Sequence, residues 1–238
     1  MKILAFDSTA KAASAAVTDG DKLLGVYTID NGLTQSELLL PMAENLLKSL
    51  KLSFSDIELL AASTGPGSFT GVRIGAALVK GIAFGKGIPC VSVSTLEAIA
   101  ENLFPLVGTL VAVMDARRGQ VYTATFKCDG KTMTRLTPDR AIGIKELSDE
   151  LSLLEDDIYL AGDGYEVTAK ALRESGINFR ETPSLLITEN AYSVAKVAYR
   201  KFLAGDTEND KDLKATYLRL PQAERERLEK LNLLNKDK

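Results

Sequence analysis

The 238-residue chain has no histidine, no tryptophan and only two cysteines. Imidazole is the commonest metal ligand in proteins and the commonest acid–base group near neutral pH, so its absence removes several chemistries at once. Ser-His-Asp and Cys-His nucleophile activation cannot be built, nor can any zinc site that uses histidine. Carboxylate-bound magnesium stays open. Cys90 and Cys128 are far apart without ligand spacing, which favours buried free thiols over a metal pair or a disulfide. Long apolar runs are missing too, and nothing approaches the ~20 residues of a membrane span. The opening MKILAFDS runs straight into strand-like sequence instead of a charged-then-apolar leader. A cytoplasmic protein is expected.

What is present is ordinary for a globular protein: 45% hydrophobic residues, 26% charged and a net charge of -3. That balance argues against gripping nucleic acid through the whole surface, although a local basic patch is compatible with it. The length suits one large domain or two small ones.

The pattern starts with strands. Lys2 to Asp7, Ala12 to Thr18 and Leu23 to Ile29 read as short strands, the last two joined by an Asp19-Gly20-Asp21 hairpin turn. In QSELLLPMAENLLKSL a helical stripe follows, made of Leu38, Leu39, Met42, Ala43, Leu46, Leu47 and Leu50. Pro41 should bend that helix or mark a late start. Leu40 lies off the stripe and gives the helix a second apolar patch, unless a neighbouring loop simply covers it. Ile57 to Ser63 is a buried-strand candidate, and a helix is expected from about Thr70 to Lys86. PCVSV is another strand, and Ser94-Thr95-Leu96-Glu97 has the capping-box order of a helix running to about Leu103.

After Pro105 the style repeats. GTLVAVMDARRGQVYTATF supplies two strands about an Arg117-Arg118-Gly119 turn, and Gly130 suggests a further hairpin. Lys145 to Asp157 is helix-like or irregular, DIYLAGDGYEVTAKALRESG is strand, glycine turn and helix, and Ala191 to Ala204 is a helix stopped by Gly205. The end, with Glu226 four residues before Lys230, reads as a solvated helix with a frayed tail. Two lobes of mixed α/β structure, each opening on a hairpin, suggest a duplicated architecture.

Chemistry should concentrate in STGPGSFTGVRIG, Ser63 to Gly75. A glycine-rich strand-to-helix turn can aim backbone N–H groups and a helix N-terminus at phosphate. Here Gly65, Gly67, Ser68, Thr70 and Gly71 have that composition but match neither the Walker A spacing nor the dinucleotide fingerprint. The alternative is a tight turn that seats the helix close to its neighbour. Behind the loop, Gly75, Gly81 and Gly85 give away ~2–3 kcal/mol of helix propensity, and close approach by another backbone would explain it. The helix is nearly apolar all round, with only Arg73, Lys80 and Lys86 charged. It is either a central helix under the sheet or one whose second side meets a partner protein.

The segments MKILAFDSTAKAASAAV, TQSELLLPMAENLL, STGPGSFTGVRIG, GIPCVSVSTLEAIA, VMDARRGQVY, AGDG and ATYLR occur in this order in the bacterial TsaB (YeaZ) family of tRNA threonylcarbamoyladenosine biosynthesis proteins, and the chain resembles that family from Met1 to about Arg219. The resemblance implies a two-lobed actin/hexokinase/Hsp70-like α/β fold: an N-terminal lobe over 1–103, a C-terminal lobe over 104–220 toward whose partner the helix near 190–205 packs back, and a charged tail over 221–238. It implies a non-catalytic scaffold for the larger relative TsaD, which transfers threonylcarbamoyl to tRNA adenosine. TsaD-type chains carry a His-x-x-x-His metal pair that falls here on Thr95 and Ile99, so no metal and no cofactor are expected. The family reading makes TsaD a direct partner, with TsaE and tRNA reached only through that complex, and a homodimer when TsaD is missing. Its docking candidates are Leu38, Leu40, Met42, Val72, Arg73, Ala76, Ala77, Leu78 and Lys80.

Two further positions depart from TsaD. Arg117 and Arg118 stand where TsaD brings a glycine turn toward phosphate, and read most simply as surface-turn residues paired with carboxylates. Asp163, between Gly162 and Gly164, would repel phosphate. The competing reading is a small kinase or ATPase of the same superfold, with Asp7 positioning metal or water and Ser68 and Thr70 touching phosphate.

Overall fold

The computed structural model describes residues 1–219. Its first sheet is assembled from β1 (Lys2–Asp7), β2 (Ala13–Asp19), β3 (Lys22–Ile29), β4 (Leu59–Ser63) and β5 (Cys90–Val93), in the order β3-β2-β1-β4-β5. The first three strands are an antiparallel meander, while β4 and β5 run parallel to β1. Both faces are covered, so β1 and β4 are apolar at consecutive positions, Ile3 to Phe6 and Leu59 to Ala62. Leu4, Phe6, Leu60 and Ala62 point to one side, and Ile3, Ala5, Leu59 and Ala61 to the other. The first side is roofed by α1 (Gln35–Ser49) and α2 (Phe69–Ala83), which follows the loop after β4. α3 (Thr95–Leu103) comes after β5.

α1 begins at Gln35, well before Pro41. Thr34 and Glu37 make a reciprocal capping box, with the Thr34 amide 3.1 Å from the Glu37 carboxylate. The cap outweighs the proline, so the late start is not seen. At α3 only half of the expected box forms. Ser94 Oγ accepts the Glu97 amide at 3.2 Å, but the Glu97 carboxylate turns instead to Arg135.

The second sheet repeats the plan. β6 (Gly108–Arg117) and β7 (Gln120–Cys128) form the long hairpin, and β8 (Met133–Arg135) and β9 (Arg140–Gly143) share the far side of β7. After α4 (Ile144–Leu151), β10 (Ile158–Ala161) pairs parallel to β6 as β4 does to β1. Lys145 to Asp157, expected as helix-like and irregular, is the two-turn α4 and the irregular stretch that leads to β10. α4 and α5 (Tyr165–Glu174) cover one face, and α3 covers the other against Leu110, Ala112 and Met114. The short α6 (Ser184–Ile187) precedes α7 (Ala191–Leu203), which returns to the first sheet and packs on Ile3, Ala5 and Val91. These two sheets, built on the same plan, are the two lobes of mixed α/β structure expected from the sequence.

No described helix is long and apolar enough to cross a membrane. Both cysteines are buried free thiols, and burial pushes Cys90 up to about 11. The tail helix expected after Leu220 lies outside the described residues.

Candidate functional site: the interlobe cleft and the outer face of the second helix

Between the lobes lies a cavity of about 600 Å³ whose walls include Thr9, Lys11, Thr70, Arg117, Asp163 and Arg219. Its first-lobe wall is the glycine loop. Gly67 lines the cavity, but the side-chain positions of the loop's glycines are taken. A Cβ on Gly71 would collide with the Ser8 carbonyl oxygen, one on Gly67 with the Thr9 carbonyl and one on Gly65 with the Thr216 carbonyl. Each missing side chain makes room for an oxygen of the chain's own backbone. Carbonyl oxygens repel phosphate, so the seat that a phosphate-binding turn keeps free is filled. Other groups of the loop are similarly engaged. The Ser68 amide donates to Thr9 O at 2.7 Å, and Ser68 Oγ caps α2 by accepting the Gly71 amide at 3.2 Å. Thr70 is exposed and faces the cavity.

Asp7 is buried at the end of β1 and spends both oxygens on its own turn. One accepts the Thr9 amide at 2.9 Å and the Thr9 hydroxyl at 2.8 Å, and the other accepts Ser63 Oγ at 2.5 Å. Burial pushes its carboxyl above the ordinary value, against the pull of the Ser63 and Thr9 hydrogen bonds. With three hydrogen bonds engaged, it locks its own turn to the end of β4.

Thr95 and Ile99 are fully buried, and Ile99 closes on the second lobe's Gly162 turn. A hydroxyl and an alkyl group offer nothing in place of two imidazoles. These residues do not fit a resident metal ion. Among the described residues no group of three or more Asp, Glu or Cys side chains is placed to hold one either.

Sequence reasoning placed an unwelcoming aspartate at Asp163 but missed its partners. Asp163 Oδ1 accepts the Asp115 amide at 3.0 Å, and the Asp163 amide donates to Glu189 Oε1 at 2.8 Å. Burial pushes Asp163 up to about 6. Burial, reinforced by the charges of Asp163 and Asp7, pushes Glu189 up to about 8. Three carboxyls thus converge on the junction from β1, the β10–α5 turn and the approach to α7. Nothing local in Thr188-Glu189-Asn190 signals this, because the convergence depends on α7 crossing back to the first lobe.

Arg117 and Arg118 form the expected surface turn, at φ of 62° and 55°. The expected carboxylate pairing is not seen. Asp115 accepts the Arg117 amide at 2.7 Å, and among the described residues neither guanidinium has an ion pair. The backbone amide claims the one nearby carboxylate.

The docking candidates divide. Met42, Val72 and Ala76 are buried in the first-lobe core, because they lie on the helix stripe that faces the sheet, and they present no free surface. Leu38 and Leu78 are half-buried against the same core, and Lys80 is half-buried. Leu40 (41% exposed), Arg73 and Ala77 face outward. Phe84, 75% exposed just past the end of α2, extends the open stripe. α2 is therefore not a central helix. Its inner glycine Gly75 admits Ser8 Oγ, whereas Gly81 and Gly85 meet nothing within 4 Å, so backbone approach among the described residues does not explain them. Gly85 supplies the left-handed turn that ends the helix, at φ 70°.

A family model described as the tRNA N6-adenosine threonylcarbamoyltransferase TsaD matches residues 33–221. The chain is 31% identical over 222 residues to the tRNA threonylcarbamoyladenosine biosynthesis protein TsaB of Escherichia coli K12, covering 92% of this chain and 95% of that protein. It is 32% identical to the TsaB protein of Bacillus subtilis 168, covering 66% and 67%. A solved structure of YeaZ from Pseudomonas aeruginosa superposes with a TM-score of 0.72 at 22% identity, covering 91% of this chain and 99% of that one. A two-lobed fold with a self-filled glycine loop, read with these full-length similarities, leads to one conclusion: the chain belongs to the TsaB family of tRNA threonylcarbamoyladenosine biosynthesis proteins.

Proposed function

We propose that this protein is a non-catalytic subunit of the threonylcarbamoyladenosine machinery, acting in the cytoplasm as a dock and support for its larger relative TsaD. We divide the chain at Leu103/Phe104, with α7 returning to the first lobe. The observation that carries the reading is the outward face of α1 and α2, where Leu40, Arg73, Ala77 and Phe84 stand exposed while the opposite stripe is sealed into the core. An apolar helix face of this kind on a folded lobe fits helix-on-helix docking. The filled glycine loop, the engaged Asp7 and the burial of Thr95 and Ile99 support the absence of catalysis and of a metal site. TsaE and tRNA would be reached through the complex. Without TsaD, the same face would pair two copies across a two-fold axis.

The test is co-purification with TsaD. Ala77→Glu sets a charge on the exposed stripe and should abolish capture while leaving circular dichroism unchanged. Leu78→Asp should act likewise, with some loss of stability from its half-buried position. Full capture by folded Ala77→Glu would sink the assignment of the face. Calorimetry with ATP and magnesium addresses the kinase or ATPase reading: micromolar binding with turnover would replace the scaffold, and its absence would favour it.

A further inference from the structure

After α7 the chain does not leave the molecule. Glu208 pairs with the Cys90 backbone through two hydrogen bonds of 2.9 Å, and its carboxylate accepts the Ser92 amide at 2.9 Å. Leu213 is fully buried in the core beneath α2. Up to this point the segment is firmly anchored in the first lobe. The next residues change character.

The Thr216 amide donates to Thr64 O at 2.7 Å, and the Thr216 carbonyl fills the space beside Gly65. Tyr217 stacks on Phe69 with ring centroids 4.5 Å apart, and its hydroxyl accepts Arg73 Nε at 2.9 Å. The Arg73 guanidinium lies 3.9 Å from the centre of the Phe69 ring. Arg219 then reaches the other lobe. It donates to Ala116 O at 3.1 Å and to Gln120 Oε1, with its guanidinium 5.5 Å from the centre of the Tyr122 ring. Thr216, Tyr217, Leu218 and Arg219 all line the mouth of the interlobe cavity.

The lobes are fastened differently at the cavity mouth and away from the cavity. Away from the cavity lining, α3 and α7 are joined by buried Glu101, held by Lys196 at 2.5 Å and Arg200 at 2.8 Å, and by Asn102, which donates to Thr188 O just ahead of α7 at 2.8 Å. At the mouth, the strap is half-buried or exposed, and among the described residues it holds the second lobe through the Arg219 side chain. A deeply anchored segment ending in a shallow, polar attachment is built to release locally while the rest stays folded.

We propose that Thr216–Arg219 is a releasable latch that holds the two lobes closed over the interlobe cavity, with Arg219 as its catch on the second lobe. Release would swing the lobes apart about the α3–α7 contact, uncovering the cavity walls. The idea concerns this chain alone and stands whether or not α2 docks TsaD.

Hydrogen–deuterium exchange of the full chain, read by mass spectrometry, tests it. In Arg219→Ala, the lips of the mouth, residues 64–71 and 115–120, should exchange roughly tenfold faster, as loss of a charge-assisted contact implies. Strand β1 and the first part of β6, Gly108–Met114, should keep wild-type protection. Gln120→Ala takes away one of the acceptors without touching the strap, and should speed the same lips to a smaller extent. The latch is refuted if the lips of both variants exchange at the wild-type rate, if the change is confined to residues 216–219, or if it spreads equally through β1 and Gly108–Met114.

Discussion

In the first lobe the turn after β1 is sealed under the glycine loop, with Ser8 and Thr9 carbonyls pressed into the spaces left by Gly71 and Gly67. The equivalent turn of the second lobe, after β6, stands in solvent and carries Arg117 and Arg118 in left-handed backbone. The helices that follow the parallel strands differ in the same sense. α5 turns Glu166, Lys170 and Glu174 outward, an ordinary solvated face, whereas α2 turns out Ala77 and Arg73. A duplicated plan has thus been spent in two ways: the first lobe closes its loop and opens an apolar helix, and the second keeps a polar helix and an open basic turn. The consequence is that the two matching helices, α2 and α5, present different faces to solvent.

The sharpest way to break the comparison is to charge each helix in turn. Ala77→Glu on α2 should weaken TsaD capture at least about a hundredfold, since an unpaired charge at a buried contact costs ~3 kcal/mol or more. Val167→Glu on α5, also exposed, should leave capture unchanged. Equal losses from both would deny that the lobes differ as surfaces.

Next come the glycines of the two turns. Gly71→Ala forces a methyl against the Ser8 carbonyl and should cost ~3 kcal/mol in urea titration. Gly119→Ala meets open space and pays only for its φ of 71°, ~1 kcal/mol. Similar losses would mean that the first-lobe loop is not sealed as described.

Glu189 probes the junction between the lobes. Its carboxyl is raised to about 8 from 4.5, so the folded state binds the proton more tightly than the unfolded chain does. Stability therefore falls as pH rises from the ordinary carboxyl range through about 8. Glu189→Gln should be more stable than wild type at pH 9, by an amount on the order of 2 kcal/mol, and the gap should close below about pH 5. A thermal melt series showing a pH-independent gap would remove the carboxyl from this role. The smallest effect is expected at Arg118, where φ is 55°. Arg118→Gly should relieve strain and gain about 0.5 kcal/mol, since the left-handed penalty slightly exceeds the entropy cost of glycine.

Most of the elements were legible in the sequence because their signals are local. Alternating and continuous apolar runs gave β1, β2 and β4, the Leu39–Leu46 stripe gave α1, and the Arg117-Arg118-Gly119 turn gave the β6–β7 hairpin. β9 escaped because Arg140–Gly143 is only four residues long and carries no alternation. At the site, the unusual loop was legible but its state was not. Composition alone could not tell a phosphate seat from a turn packed on itself. The split among the docking candidates was equally hidden, since Val72 and Ala77 look alike in a helix that is apolar on both sides.

The sequence by itself determined the class of chemistry that is closed to this protein, the order of strands and helices, and the family. Side-chain inventory and short-range periodicity are properties of the chain that folding does not alter. Only the tertiary structure decided that the glycine loop is filled by Ser8, Thr9 and Thr216, that Asp7, Asp163 and Glu189 converge, and that Tyr217 and Arg219 cross the cleft. Those arrangements join residues separated by up to about two hundred positions, so they exist only once two sheets and a returning helix have set the distances.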